Sequence, residues 1–227
     1  FRVPFLRNAA FAGREQDLAG LHRALAAGST VGIHPAGLTG MGGIGKTQLA
    51  VEYCYRYKES YGGGIFWLNA AADWQAEFAE LGAYLAPDLA GEPAVRRIRA
   101  AADYFNAHPD SLLVLDNVAD PARLRQPVTP DLIPSSLPCR LLLTTRSRDL
   151  GDIQPVEVTV LPQGPALQLL LRALPRQPAL DASSASHADA CAIYRLLGGL
   201  PLALEIAGAF LEEWPEVTLG GFRQRLH

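Results

Sequence analysis

The chain has 227 residues, 19% of them charged, and a formal net charge of −3, so it carries no basic field of the kind that nucleic-acid surfaces require. Its 49% hydrophobic share supplies a core, yet no apolar run approaches the roughly 20 residues that span a bilayer. No secretory signal opens the chain, which leaves a cytoplasmic protein as the expectation and excludes a membrane-embedded or nucleic-acid-binding class.

Cys54, Cys139 and Cys191 are odd in number, scattered and without metal-ligand spacing, so reduced and partly buried thiols are expected. The only methionine is Met41, so residues ahead of Phe1 are expected to be missing. Only Lys46 and Lys58 are lysines among the 20 basic residues, and this arginine-rich, alanine-rich composition points to a bacterial source.

Residues 14–28 place Leu18, Leu21 and Leu25 at helical spacing and end in glycine. "VGIHPAGL" (31–38) reads as a strand interrupted by Pro35, and a helix is predicted over about 46–60 with Leu49, Val51 and Tyr55 as core candidates. On that helix Tyr53 and Tyr57, four apart, are expected to pack against the sheet. "GIFWLNA" (64–70) is a second strand, and Asp73 is placed to cap a helix running to about residue 86. An alanine-rich helix follows over 93–107, with Arg96, Arg97 and Arg99 on a solvated face. "SLLVLDNV" (111–118) and "RLLLTTR" (140–146) are short, continuous apolar runs of the buried parallel type, and "VEVTVL" (156–161) reads as a fifth strand. Beyond residue 162 the strand signals stop. Helices are predicted over 164–173, 184–197, 201–213 and 218–226, with 176–186 as a linker. The alternation predicts an α/β fold over 1–162, a three-layer, five-stranded parallel sheet with flanking helices, followed by a small all-helical subdomain over 163–227.

The stretch "GLTGMGGIGKTQLAVEY" (37–53) puts five glycines ahead of a helix. Gly40, Gly45, Lys46 and Thr47 satisfy G-x-x-x-x-G-K-[ST] between a predicted strand and a predicted helix, the context that a phosphate-binding P-loop requires. Glycine backbone can wrap an anion, so the amides of Gly42, Gly43, Ile44, Gly45, Lys46 and Thr47 are expected on the phosphates of a nucleotide. Gln48, next in the helix whose positive dipole end faces the anion, belongs to the same set. Lys46 would reach the β- and γ-phosphates, and the Thr47 hydroxyl would ligate Mg²⁺.

Such a loop needs an acidic strand end to share the metal, and Asp116, after four apolar residues, supplies it at the carboxyl end where open α/β sheets bind ligands. Arg146, after Thr144 and Thr145 at another strand end, can fork onto a γ-phosphate and report its presence.

In this order the pieces resemble the NB-ARC family, the nucleotide-switch module of signal-transduction ATPases with numerous domains. The matching stretches are "FAGREQDLAGL" (11–21), "GMGGIGKTQLA" (40–50), "LLVLDNV" (112–118), "LLLTTRS" (141–147) and "GGLPLALEIAGAFL" (198–211), which together span almost the whole chain. The resemblance implies that ADP or ATP is the nucleotide, with Phe11, Ala12 and Arg14 lying over the adenine. It also implies that Pro201 packs on the adenine–ribose side from the first ARC-type helical subdomain. It places the "TTR" strand between the phosphate-loop strand and the Asp116 strand, bringing Arg146 to the γ-phosphate.

Two departures stand out. Many relatives carry a second aspartate where this chain has Asn117, which can orient a water but cannot take its proton, so slow hydrolysis is expected. The family continues into a winged-helix subdomain and sensor domains, which are expected to lie outside this stretch; none of its histidines is assigned a role. The implied function is an ADP/ATP switch that controls self-association or the sensor and effector domains of a parent protein. A rapidly cycling AAA+ or helicase-type ATPase, and a scaffold that keeps its nucleotide as filler, are the alternatives.

Overall fold

The computed structural model describes residues 1–9, 11–27, 36–39, 42–129, 132–147, 149–150, 152–172 and 184–226, with 36–39 described for their backbone alone. The chain divides into two compact units. The first joins Phe1–Asn8, Gln16–Gly40 and Lys46–Val158; the second joins Ala9–Glu15, Met41–Gly45 and Thr159–His227.

The first unit is a parallel sheet between helices. Its elements are α1 (Glu15–Ala27), β1 (Ala36–Thr39), α2 (Lys46–Arg56), β2 (Ile65–Asn69), α3 (Trp74–Leu85), α4 (Ala94–Ala107), β3 (Leu112–Val118), β4 (Arg140–Thr145) and β5 (Gln154–Glu157). All strand pairs are parallel, and the order is β2-β3-β4-β1-β5, so the "TTR" strand does lie between β1 and the Asp116 strand.

Alternate residues Phe66, Leu68, Leu113, Leu115, Leu141 and Leu143 form one core with Phe78 and Leu81 of α3 and Ile98 and Phe105 of α4. Their neighbours Ile65, Trp67, Leu112, Val114 and Leu142 are buried as well, and α2 packs on β3 and β4. Burial on both faces is why these strands read as unbroken apolar runs. Asp73 caps α3 as expected, its carboxylate accepting from the Gln75 amide at 2.9 Å.

Several expected boundaries move. The fifth strand is Gln154–Glu157, not 156–161. It pairs only with the four residues of β1, so its ladder ends with its partner, and as an edge strand it tolerates Pro155, which has no amide to donate. Of the expected strand 31–38, only the portion from Ala36 falls among the described residues. The helix expected over 46–60 ends at Arg56 and gives way to a 3-10 turn at Lys58–Ser60. Tyr53 is buried, but its hydroxyl meets Tyr61 Oη at 2.6 Å, and Tyr57 stacks on the His22 imidazole with centroids 4.1 Å apart. These tyrosines therefore join an aromatic cluster with His22 of α1 and Tyr61. All three cysteines are free and buried, and burial pushes the Cys54 and Cys139 thiols up to about 12.

The second unit holds α5 (Gln163–Leu171), α6 (Ala185–Leu196), α7 (Pro201–Glu213) and α8 (Leu219–Arg225) around Leu167, Leu170, Ile193, Leu204, Leu211 and Phe222. Ser184 and Thr218 cap α6 and α8 through their hydroxyls. The "GGLP" stretch is helix punctuation. Gly198 and Gly199 take left-handed backbone after α6, and Pro201 opens α7 at its first position. Most of the expected linker, 176–183, lies outside the described residues.

Candidate functional site

In the first unit, the carboxyl ends of β3 and β4 meet the start of α2. Asp116 stands two residues before the end of β3, and Thr47 of α2 donates its hydroxyl to Asp116 Oδ1 at 3.0 Å. Lys46 begins α2 and is half-buried. Burial and the nearby Arg146 guanidinium hold its ammonium below the usual lysine value, and Asp116 pulls it the other way. Lys46, Thr47, Asp116 and Arg146 thus share one locality, with more cationic than anionic charge, at the strand ends where α/β sheets bind ligands. Asn117 is exposed and adopts φ 65, a left-handed conformation that asparagine tolerates better than most residues. Gln48 is exposed on the same helix.

In the second unit, the glycine-rich loop is held by side chains of that unit. Gly43 and Gly45 take φ 75 and φ 94, left-handed backbone that glycine adopts without strain. Ile44 between them is buried, and its carbonyl accepts from Arg14 Nη2 at 2.8 Å. The other arm of that guanidinium donates to the Thr159 carbonyl at 2.7 Å. The Leu202 amide donates to the Gly43 carbonyl at 3.3 Å, and a methyl group added at Gly45 would lie 3.8 Å from Pro201 Cγ. Arg14, Gly43, Gly45 and Pro201 are therefore neighbours. Phe11 is half-buried, Ala12 and Gly42 are exposed, and Gly40 lies outside the described residues.

Two features escaped the sequence. Arg14 donates to two backbone carbonyls inside the protein, a use that no motif announces. Thr144 supplies a hydroxyl to the acidic strand end, donating to Asp116 Oδ1 at 2.5 Å and accepting from the Asn117 amide at 2.8 Å. The only trace of it in the sequence is the threonine pair ahead of Arg146.

The donor set suits a hard divalent cation. Two oxygens sitting side by side on a Mg²⁺ ion with bonds of about 2.0–2.1 Å are roughly 2.9 Å apart, close to the 3.0 Å between Thr47 Oγ1 and Asp116 Oδ1. Among the described residues no group of three or more His, Cys, Asp or Glu could hold a metal, so a cation here would take its remaining oxygens from phosphate and water. Also among the described residues, no helix is long and apolar enough to cross a membrane.

The NB-ARC domain model matches residues 14–174. A nucleotide-binding leucine-rich repeat (NLR)-like protein of Hyaloscypha variabilis is 27% identical over 98% of this chain and 24% of its own length. The regulatory protein AfsR of Streptomyces coelicolor is 30% identical over 77% of this chain and 18% of its own length. This chain thus spans a quarter or less of either relative. Among solved structures, the ORC2 protein of Aeropyrum pernix, determined as ADPNP–ADP complexes, superposes with a TM-score of 0.58. It is 18% identical, with all of this chain and 69% of that one covered, a likeness of fold. The match of model and relatives across the phosphate loop, the acidic strand end and the "TTR" strand makes the chain a member of the NB-ARC domain family.

Proposed function

We propose that the chain binds ADP or ATP with Mg²⁺ and acts as a nucleotide-state switch. The observation that carries this reading is the meeting of Thr47 Oγ1 with Asp116 Oδ1, 3.0 Å apart, beside Lys46 and Arg146. The amides from Gly42 through Thr47, with Gln48, cradle the phosphates, and Lys46 neutralises their charge. Thr47 and Asp116 hold the metal, which draws charge off the phosphates when bound. Arg146 reads the γ-phosphate, a contact available to ATP and not to ADP, which is the differential interaction that a switch requires. Phe11, Ala12, Arg14 and Pro201 carry the adenine–ribose side. Residues 163–227 serve as a helical subdomain that answers to the nucleotide state, and the parent protein's sensor or effector domains, or a second copy, are the partners.

Turnover is slow because Asn117, exposed at the strand end, offers an amide where a base would accept a proton from water. Mass spectrometry of nucleotide released by denaturation should find ADP co-purified with the chain. Phosphate release should run far below the ~10 per second typical of enzymes, and N117D should raise it. An empty site that also fails to bind added nucleotide would remove the reading, and brisk wild-type turnover would favour the cycling-ATPase alternative.

A further inference from the structure

Strand β3 carries one residue more than its partner. Leu115 pairs with Leu143 and Val118 with Thr145, so three steps along β3 match two along β4. The surplus falls at Asp116–Asn117, and among the described residues Asn117 is the only non-glycine residue with positive φ. A bulge of this kind takes a backbone amide out of the ladder, and that amide needs another acceptor. Thr144 Oγ1 provides it, accepting from the Asn117 amide at 2.8 Å. A hydroxyl has a single hydrogen to give, and Thr144 gives it to Asp116 Oδ1 at 2.5 Å. Thr144 is 2% exposed, which keeps water from competing for either bond. Thr145 secures the far side of the bulge, donating to the Val118 carbonyl at 2.6 Å. The same Asp116 oxygen accepts from Thr47, so the orientation that Thr144 imposes on the carboxylate is the one that meets α2.

The geometry points to Thr144 as the positioning residue for Asp116: its hydroxyl converts the bulge in β3 into a fixed carboxylate orientation for the Mg²⁺ of a bound nucleotide. This rests on the nucleotide–Mg²⁺ reading proposed above. Thr144 acts through Asp116, so its removal should affect the metal-dependent part of binding and spare the rest. Groups that orient a metal ligand typically contribute about 10–100-fold in metal affinity.

The test is fluorescent mant-ADP titrated into the full chain, once with excess Mg²⁺ and once with EDTA; the ratio of the two Kd values is the Mg²⁺ factor. T144V, equal in shape but without the hydroxyl, should cut that factor about tenfold or more and leave the EDTA affinity within about twofold. T144S, which keeps the hydroxyl, should retain the wild-type factor. The proposal is overturned if T144V keeps the factor, if T144S loses it as fully as T144V, or if T144V weakens binding equally in Mg²⁺ and in EDTA, the mark of a merely structural role. Where T144V lacks the wild-type circular dichroism spectrum, T144A takes its place under the same criteria. A wild type with no Mg²⁺ factor would instead sink the cofactor reading itself, and the role of Thr144 with it.

Discussion

Replacing Arg14 with alanine is the sharpest test of how the phosphate loop is braced. Arg14 is 4% exposed, and its guanidinium joins the Ile44 carbonyl at 2.8 Å to the Thr159 carbonyl at 2.7 Å. Hydrogen bonds from a charged donor contribute about 1.5–3 kcal/mol each, so R14A forfeits roughly 3–6 kcal/mol gross and strands two carbonyls. Deleting a buried cation also returns the cost of desolvating it, which brings the expected loss to about 3 kcal/mol. At about 2–4 °C per kcal/mol for a chain of this size, the melting midpoint should fall by roughly 6–12 °C. Circular dichroism melts of wild type, R14A and R14K make the comparison. R14K should recover about half the loss at most, because an ammonium cannot reproduce the two-armed fork. A midpoint for R14A within about 2 °C of wild type would refute the reasoning, and so would full rescue by lysine.

Three further outcomes are expected. Glu52 is buried and held by Arg7 at 2.8 Å and Arg56 at 3.0 Å; the Arg7 bond above all keeps its carboxyl below the usual range. A lowered carboxyl contributes stability that is in place above its unfolded value of 4.5 and is lost as pH falls through the folded value, so E52Q should flatten the acid limb of a urea-stability profile; an unchanged acid slope would count against the ion pair. A methyl group at Gly82 of α3 would lie 1.7 Å from the Arg97 carbonyl of α4, so G82A must push the helices apart at a cost of about 3 kcal/mol. An unaltered urea midpoint would show that the crossing is looser than it stands here. Lys46, held below 10.5, should take up a proton fraction when a nucleotide binds under alkaline conditions, with affinity falling as pH rises toward that value. Calorimetry in two buffers of different ionisation enthalpy measures the uptake, and its absence would separate Lys46 from the phosphates.

The local features of this chain were legible without any structure because each follows from a short-range rule. Apolar runs bounded by turns mark β3 and β4, an aspartate opens α3, and left-handed glycines followed by proline divide α6 from α7. The glycine-rich loop followed by Lys46 and Thr47, and the acid near the end of β3, are likewise readable as a pattern, since the proposed phosphate cradle needs those residue types at that spacing. Where an element stops against its partner is not local information. The length of β5 is set by β1, and the end of α2 is set beside an aromatic cluster that brings His22 onto Tyr57. The bulge at Asp116–Asn117 depends on the register between two strands, and the hydroxyl that completes it comes from 28 residues further along the chain. Arg14 bonds a carbonyl 145 residues away. Composition and spacing settle which chemistry a segment can offer. Which oxygen faces which proton is decided only by the packing of distant segments, because a hydrogen bond is lost over a few tenths of an ångström and sequence distance carries no such measure.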